Sequence, residues 1–139
     1  MDWGLQLGRR FRALKLWMVI RRFGRAGLAA RIREHVRLAR VFAARVEGDD
    51  LFELMAPAPF STVCFRYRPP SMSDEPALRD LNAAILDAVN ATGAVYLSHT
   101  VLRGAYVLRL AVGNLRTTER HIEQAWVAVT AAVGRLPIH

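Results

Sequence analysis

The hydrophobic pattern of this chain changes period at Gly48, and that change limits the possible folds more than any other feature. Before it, apolar residues recur at steps of three and four, the spacing of a helix with a buried face. Leu7, Phe11, Leu14 and Trp17, with Leu16, Val19, Ile20 and Phe23, predict a helix from about Gly8 to Phe23. Leu28, Ile32, Val36, Leu38, Ala39, Phe42 and Val46 predict a second, and Gly24 and Gly27 mark the break between them. After Gly48 and the acidic pair Asp49 and Asp50 the period becomes two. Phe52, Leu54 and Ala56 alternate with Glu53 and Met55 until Pro57 and Pro59 halt the strand.

Further along, Ser61 to Arg68 reads as a strand with Val63, Phe65 and Tyr67 on one face and Cys64 and Arg66 on the other. Pro69 and Pro70 open a loop, and Asp74 or Ser73 caps a helix carrying Leu78, Leu81, Ile85, Leu86 and Val89, ended by Gly93. Val95 to Val101 and Tyr106 to Val112 are two more strands, joined around Arg103 and Gly104 as a hairpin. Thr117 or Thr118 caps a last helix with Ile122, Ala125, Trp126 and Val129. The order ααββαββα predicts the α+β class: an N-terminal helix pair, then a small antiparallel sheet covered by helices. The organisation divides into a helical segment, 1–48, and an α+β domain, 49–139.

Charge follows the same division. Met1 to Val46 holds eleven arginines and one lysine against two acids, a local charge of +10, whereas the remainder carries −2. Arginine-rich helices of this kind can neutralise nucleic-acid phosphates or lie on an anionic membrane. Composition favours solvated faces, or faces set against an acidic partner. The aromatics fall on the apolar stripe, where packing accounts for them, rather than in the interleaved pattern of a base-stacking surface. We expect no nucleic-acid partner and no membrane partner, the alternative being a stand-alone basic binding module that contacts nucleic acid or an anionic membrane through these arginine-rich helices. Charged residues interrupt every long apolar run before the roughly 18 residues of a membrane span. The first residues interleave arginine with apolar positions, unlike a secretory leader.

Catalytic signals are few. The lone Cys64 forbids an internal disulfide, reads as a small strand residue and suits a reducing compartment, so we expect a cytoplasmic protein. His35, His99, His121 and His139 share no metal-ligand spacing, and no glycine-rich phosphate loop follows a strand.

The run Leu7-Gly8-Arg9-Arg10-Phe11-Arg12-Ala13-Leu14-Lys15-Leu16-Trp17 resembles the segment leading into the C-terminal domain of the group II pyridoxal-phosphate-dependent amino acid decarboxylases, the family of the aromatic-L-amino-acid and tyrosine decarboxylases. The likeness continues through Gly27-Leu28, Ile32 to Val36, Val63 to Arg66, His99-Thr100, Tyr106 to Asn114 and Thr117 to Trp126. It implies the small C-terminal domain of the fold type I pyridoxal-phosphate enzymes, a homodimer, an amino acid substrate and pyridoxal 5'-phosphate as cofactor. It also implies that the cofactor's lysine, preceded by histidine in the family, is missing here. Lys15 is the only lysine and follows Ala13-Leu14. On its own, the chain is then expected to be inactive.

By correspondence two positions are candidates for substrate binding. Arg109 matches an arginine that in the glutamate-specific branch looks placed to hold the substrate carboxylate; an ion pair tying the sheet to the large domain is the other role open to it. Gly8 matches a glycine lining the pocket at the subunit boundary, where the lack of Cβ allows close approach; a helix N-terminal turn explains it as well. His99 reads as structural. No catalytic, cofactor-binding or metal-binding residue is expected within the chain.

Overall fold

The computed structural model describes residues 11–136. In chain order the elements are α1 (Arg12–Glu47), β1 (Phe52–Leu54), β2 (Thr62–Tyr67), α2 (Glu75–Ala91), β3 (Ser98–Leu102), β4 (Ala105–Ala111) and α3 (Glu119–Val133). They form two compact units, Met1–Ile32 and Arg33–His139.

In the first unit the break between the expected helices lies at Gly24 alone, with φ 63° and ψ 177°, a conformation that only glycine adopts without strain. Gly27 stays helical. The aromatics expected to pack do not do so: Phe11 is 72% and Trp17 57% exposed. Arg21 lies 5.6 Å from the Trp17 ring centre, and Arg31 lies 4.2 Å from that of Phe23.

In the second unit the strands pair antiparallel in the order β1-β2-β4-β3. Alternation along the strands sets Val63, Phe65 and Tyr67 of β2 on one face, and the register Val63↔Leu110 and Phe65↔Leu108 adds β4 to it. These residues merge into one buried cluster with Leu38, Phe42 and Val46 of α1, Ile85, Leu86 and Val89 of α2, and Ile122, Ala125 and Val129 of α3. Phe42 stands edge-on to both Phe65 (5.1 Å) and Trp126 (5.9 Å), and Trp126 also meets Phe52 (5.0 Å). Each fully buried Leu or Phe contributes roughly 1.5–3 kcal/mol relative to exposure, so this face holds the unit together.

Local chemistry ends each element. Asp74 caps α2 by accepting from the Ala77 N–H at 2.9 Å, and Gly93 follows the helix at φ 68°. Thr118 and His121 form a reciprocal capping box on α3. The β3–β4 hairpin turns on Arg103 (φ 51°) and Gly104 (φ 85°), the paired left-handed residues of a type I′ turn.

Two strands are shorter than their periodicity suggests. β1 ends at Leu54, although the Met55 N–H still donates to the Cys64 carbonyl at 2.9 Å. β3 begins at Ser98, because Asn90 of α2 takes both backbone groups of Leu97, at 2.8 and 3.0 Å, in place of a strand partner.

Candidate functional site

The face of the sheet opposite the core carries the polar residues. In register, Arg109 of β4 lies between Cys64 of β2 and Ser98 of β3, and all three are half-buried. The row exists because strand alternation sends Arg109 away from Leu108 and Leu110, which enter the core. Among the described residues Arg109 has no carboxylate partner, whereas Arg37, Arg45, Arg66 and Arg68 all have one. A guanidinium held on a sheet face without a counter-charge is suited to a carboxylate or phosphate ligand, which it can bind through two parallel N–H donors.

Arg66, on the same side of β2, shows the opposite arrangement. It is 5% exposed, and its Nε donates to Glu53 at 2.7 Å while Nη1 donates to both oxygens of Glu75 at 2.9 and 3.0 Å. Burial works against its charge, but the Glu75 and Glu53 hydrogen bonds outweigh that and raise its pKa. Arg68 shares Glu53 at 3.0 Å. Arg66 is thus fully engaged and Arg109 is not, a distinction that no periodicity could make.

Asn82 is the other buried polar residue that periodicity misses. It sits at 0% exposure on α2, its Oδ1 accepting from the Tyr67 N–H and its Nδ2 donating to the carbonyls of Tyr67 and Leu78, each at 2.8 Å. Its signal was its position on the apolar stripe, four residues after Leu78 and three before Ile85. Where β2 leaves β4, this side chain satisfies the Tyr67 peptide and so sets where the sheet face ends.

The remaining candidates divide. Gly8 lies outside the described residues. His99 stacks on Tyr106, ring centres 4.8 Å apart, in a structural pairing. His121 is taken by the α3 cap. No group of three metal-ligating side chains occurs among the described residues. A groove of about 380 Å³ runs between α2 and α3, lined by Ala88, Ala128, Ala131, Arg120 and Arg135 among others, and Arg109 is not part of it.

In architecture, the second unit is a four-stranded antiparallel sheet with helices packed on its apolar face. The solved structure of Oryza sativa tryptophan decarboxylase with pyridoxal phosphate and tryptamine matches the chain with a TM-score of 0.83 at 41% identity, over 94% of this chain and 28% of that one. The pyridoxal-dependent decarboxylase conserved domain matches residues 1–68. Tyrosine decarboxylase 2 of Narcissus pseudonarcissus and tryptophan decarboxylase 2 of Oryza sativa subsp. japonica are each 50% identical over 125 residues, which is 90% of this chain and 25% of theirs. The chain belongs to the pyridoxal-dependent decarboxylase family, and it spans about a quarter of the length of these relatives.

The family resemblance implies a lysine that holds the cofactor. The one lysine in this sequence, Lys15, stands exposed on α1 with Leu14 and Leu16 beside it. The residues of this span do not fit the cofactor's covalent site. No described helix is long and apolar enough to cross a membrane.

Proposed function

We propose that this chain is the C-terminal part of a pyridoxal-phosphate-dependent carboxy-lyase acting on aromatic or related L-amino acids, in a homodimeric cytoplasmic enzyme. Alone it has no decarboxylase activity, because the cofactor is held by residues outside the span. Residues 1–48 connect to the cofactor-bearing region, their last turns from Leu38 also entering the core, and residues 49–139 make the small domain.

The observation that carries this reading to the residues is Arg109, half-buried and without a carboxylate partner. Its role is to hold the substrate carboxylate through a two-point hydrogen-bonded pair and so to orient the amino acid. By the family correspondence alone, Gly8 is proposed as a second substrate-binding position, one where the lack of a Cβ suits close approach of a ligand.

The test is a chimera in which this chain replaces the matching quarter of rice tryptophan decarboxylase 2, assayed for carbon dioxide release from tryptophan and tyrosine. The expected result is decarboxylation by the wild-type chimera. Arg109→Met should raise KM about 10-fold to 100-fold, the equivalent of ~1.5–3 kcal/mol for a hydrogen bond to a charged group. Arg109→Lys should not restore it, since an ammonium lacks the fork. A chimera that folds and binds cofactor but decarboxylates neither amino acid overturns the proposal.

A further inference from the structure

Leu108 and Leu110 of β4 turn into the core that the helices cover, and Arg109 between them turns to the other face of the sheet. The groove between α2 and α3 is built by the helix layer, and Arg109 has no part in its lining. It exists because the facing positions are small. Ala88 of α2 and Ala128, Ala131 and Ala132 of α3 end at Cβ, so the two helices leave about 380 Å³ where longer side chains would have met. Ligand pockets run from about 300 to 1,000 Å³, which sizes this one for a body of one or two rings. Against walls of methyl groups, a rigid ring buries apolar area without the rotamer entropy that a flexible acyl chain gives up.

Charge decides what the ring carries. Arg120 and Arg135 both line the groove, and neither has a carboxylate partner among the described residues. Glu123, which also lines it, is paired with Arg45 at 2.8 Å, leaving Arg120 to another anion. Positions 120 and 135 are about 22 Å apart along the helix axis, so one small ligand engages only one of the two arginines. The α3 dipole selects Arg120. It is the second residue of the helix, where the positive end favours an anion, whereas Arg135 lies past the last turn, where the dipole opposes one. One turn further, the Gln124 amide lines the groove as well and offers a neutral donor to the same carboxylate.

We propose that the groove between α2 and α3 is a second small-molecule site, one that takes an aromatic carboxylate, with the ring on the alanine methyls and the carboxylate on Arg120 and Gln124. This site involves none of the residues on which the proposed function rests, and it needs nothing from beyond the two ends of the chain.

The experiment titrates the full 139-residue chain with indole-3-propionate by calorimetry, beside indole-3-propionamide, tryptamine and octanoate. The expected result is one saturable site with a Kd below about 1 mM, at least about 10-fold tighter for the carboxylate than for its amide. Arg120→Met should weaken binding about 10-fold or more, as loss of a hydrogen bond to a charged group does, while Arg135→Met should leave it unchanged. Ala131→Trp, at an exposed position, should fill the groove and abolish binding while the thermal melt of the Arg33–His139 unit is retained, which separates a blocked site from lost folding. Arg109→Met should have no effect. Binding lost in Arg109→Met but kept in Arg120→Met overturns the groove site and assigns the probe to the substrate-binding position proposed above. No saturation below about 1 mM overturns it too, as does tighter binding of tryptamine or octanoate than of indole-3-propionate. Self-association that Ala131→Trp abolishes, in a chain that takes no probe, also overturns it and gives the groove to a second copy. An inactive chimera bears on the proposed function alone and leaves this site standing.

Discussion

Replacing Asn82 with alanine should destabilise the second unit far more than an ordinary polar-to-alanine change on a helix. Asn82 is wholly buried and its carboxamide makes three hydrogen bonds at 2.8 Å, two of them closing on the Tyr67 peptide. The substitution strands the Tyr67 N–H and carbonyl without water, at about 1–3 kcal/mol each. The expected loss is about 4 kcal/mol, and with a slope near 2 kcal/mol/M it lowers the urea midpoint by about 2 M. Leucine should be no better than alanine, because the groups left unpaired are backbone. Asn82→Asp adds a test of the direction of the bonds. The acid keeps the acceptor for the Tyr67 N–H but faces the Tyr67 and Leu78 carbonyls, where burial and the lost donors raise its folded pKa above the unfolded value. Its stability relative to wild type is then retained at acid pH and lost as pH rises through that folded pKa. Urea denaturation followed by circular dichroism at acid and neutral pH measures both effects. An Asn82→Ala variant within 1 kcal/mol of wild type, or an Asn82→Asp variant relatively more stable at neutral pH, would refute the assignment of these bonds as the anchor of the β2 end.

The Arg66 network should yield a smaller loss. Its carboxylates are 31% and 53% exposed, so Arg66→Met is expected to cost about 1–2 kcal/mol, and a double-mutant cycle with Glu53→Gln should recover a coupling of ~1 kcal/mol; zero coupling would place the guanidinium elsewhere. Burial, followed by nearby Asp49 for Tyr67 and Asp87 for Tyr106, pushes both phenols above the ordinary 10.0. Because the raised folded values favour the neutral phenols, their contribution is intact below pH 10 and declines as pH rises past it, which ultraviolet titration paired with melts in alkaline buffers will reveal. At the β3–β4 turn, Gly104→Ala meets no steric contact and is expected to cost about 1–2 kcal/mol from the positive φ alone, whereas Arg103→Asn should be neutral or slightly stabilising by thermal melt.

The elements were legible in the residues because each depends on neighbours close in sequence. Periodicity located all three helices and the four strands among the described residues, and the caps at Asp74 and Thr118 and the turn at Arg103-Gly104 follow from which side chains and backbone angles those positions accept. Family membership was legible for a related reason: the run from Leu7 to Trp17 is a dense local pattern that survives without any knowledge of the fold.

Other features depend on contacts between residues far apart in sequence. Arg66 and Arg109 are both arginines on strands with apolar neighbours, yet the chain path brings Glu53 and Glu75 to the first and no carboxylate to the second. Asn82 reads as an interruption of an apolar stripe until β2 separates from β4 and presents the Tyr67 peptide to it. In the same way α1 looks like two similar stripes, but the residues from Leu38 enter a core while Phe11 to Ile20 meet water. The sequence by itself determined the order of elements and the family, because hydrogen-bond geometry and side-chain period act over a few residues. Only the tertiary structure decided which charges are paired and which apolar faces are covered, because desolvation depends on what else in the molecule arrives at the same place.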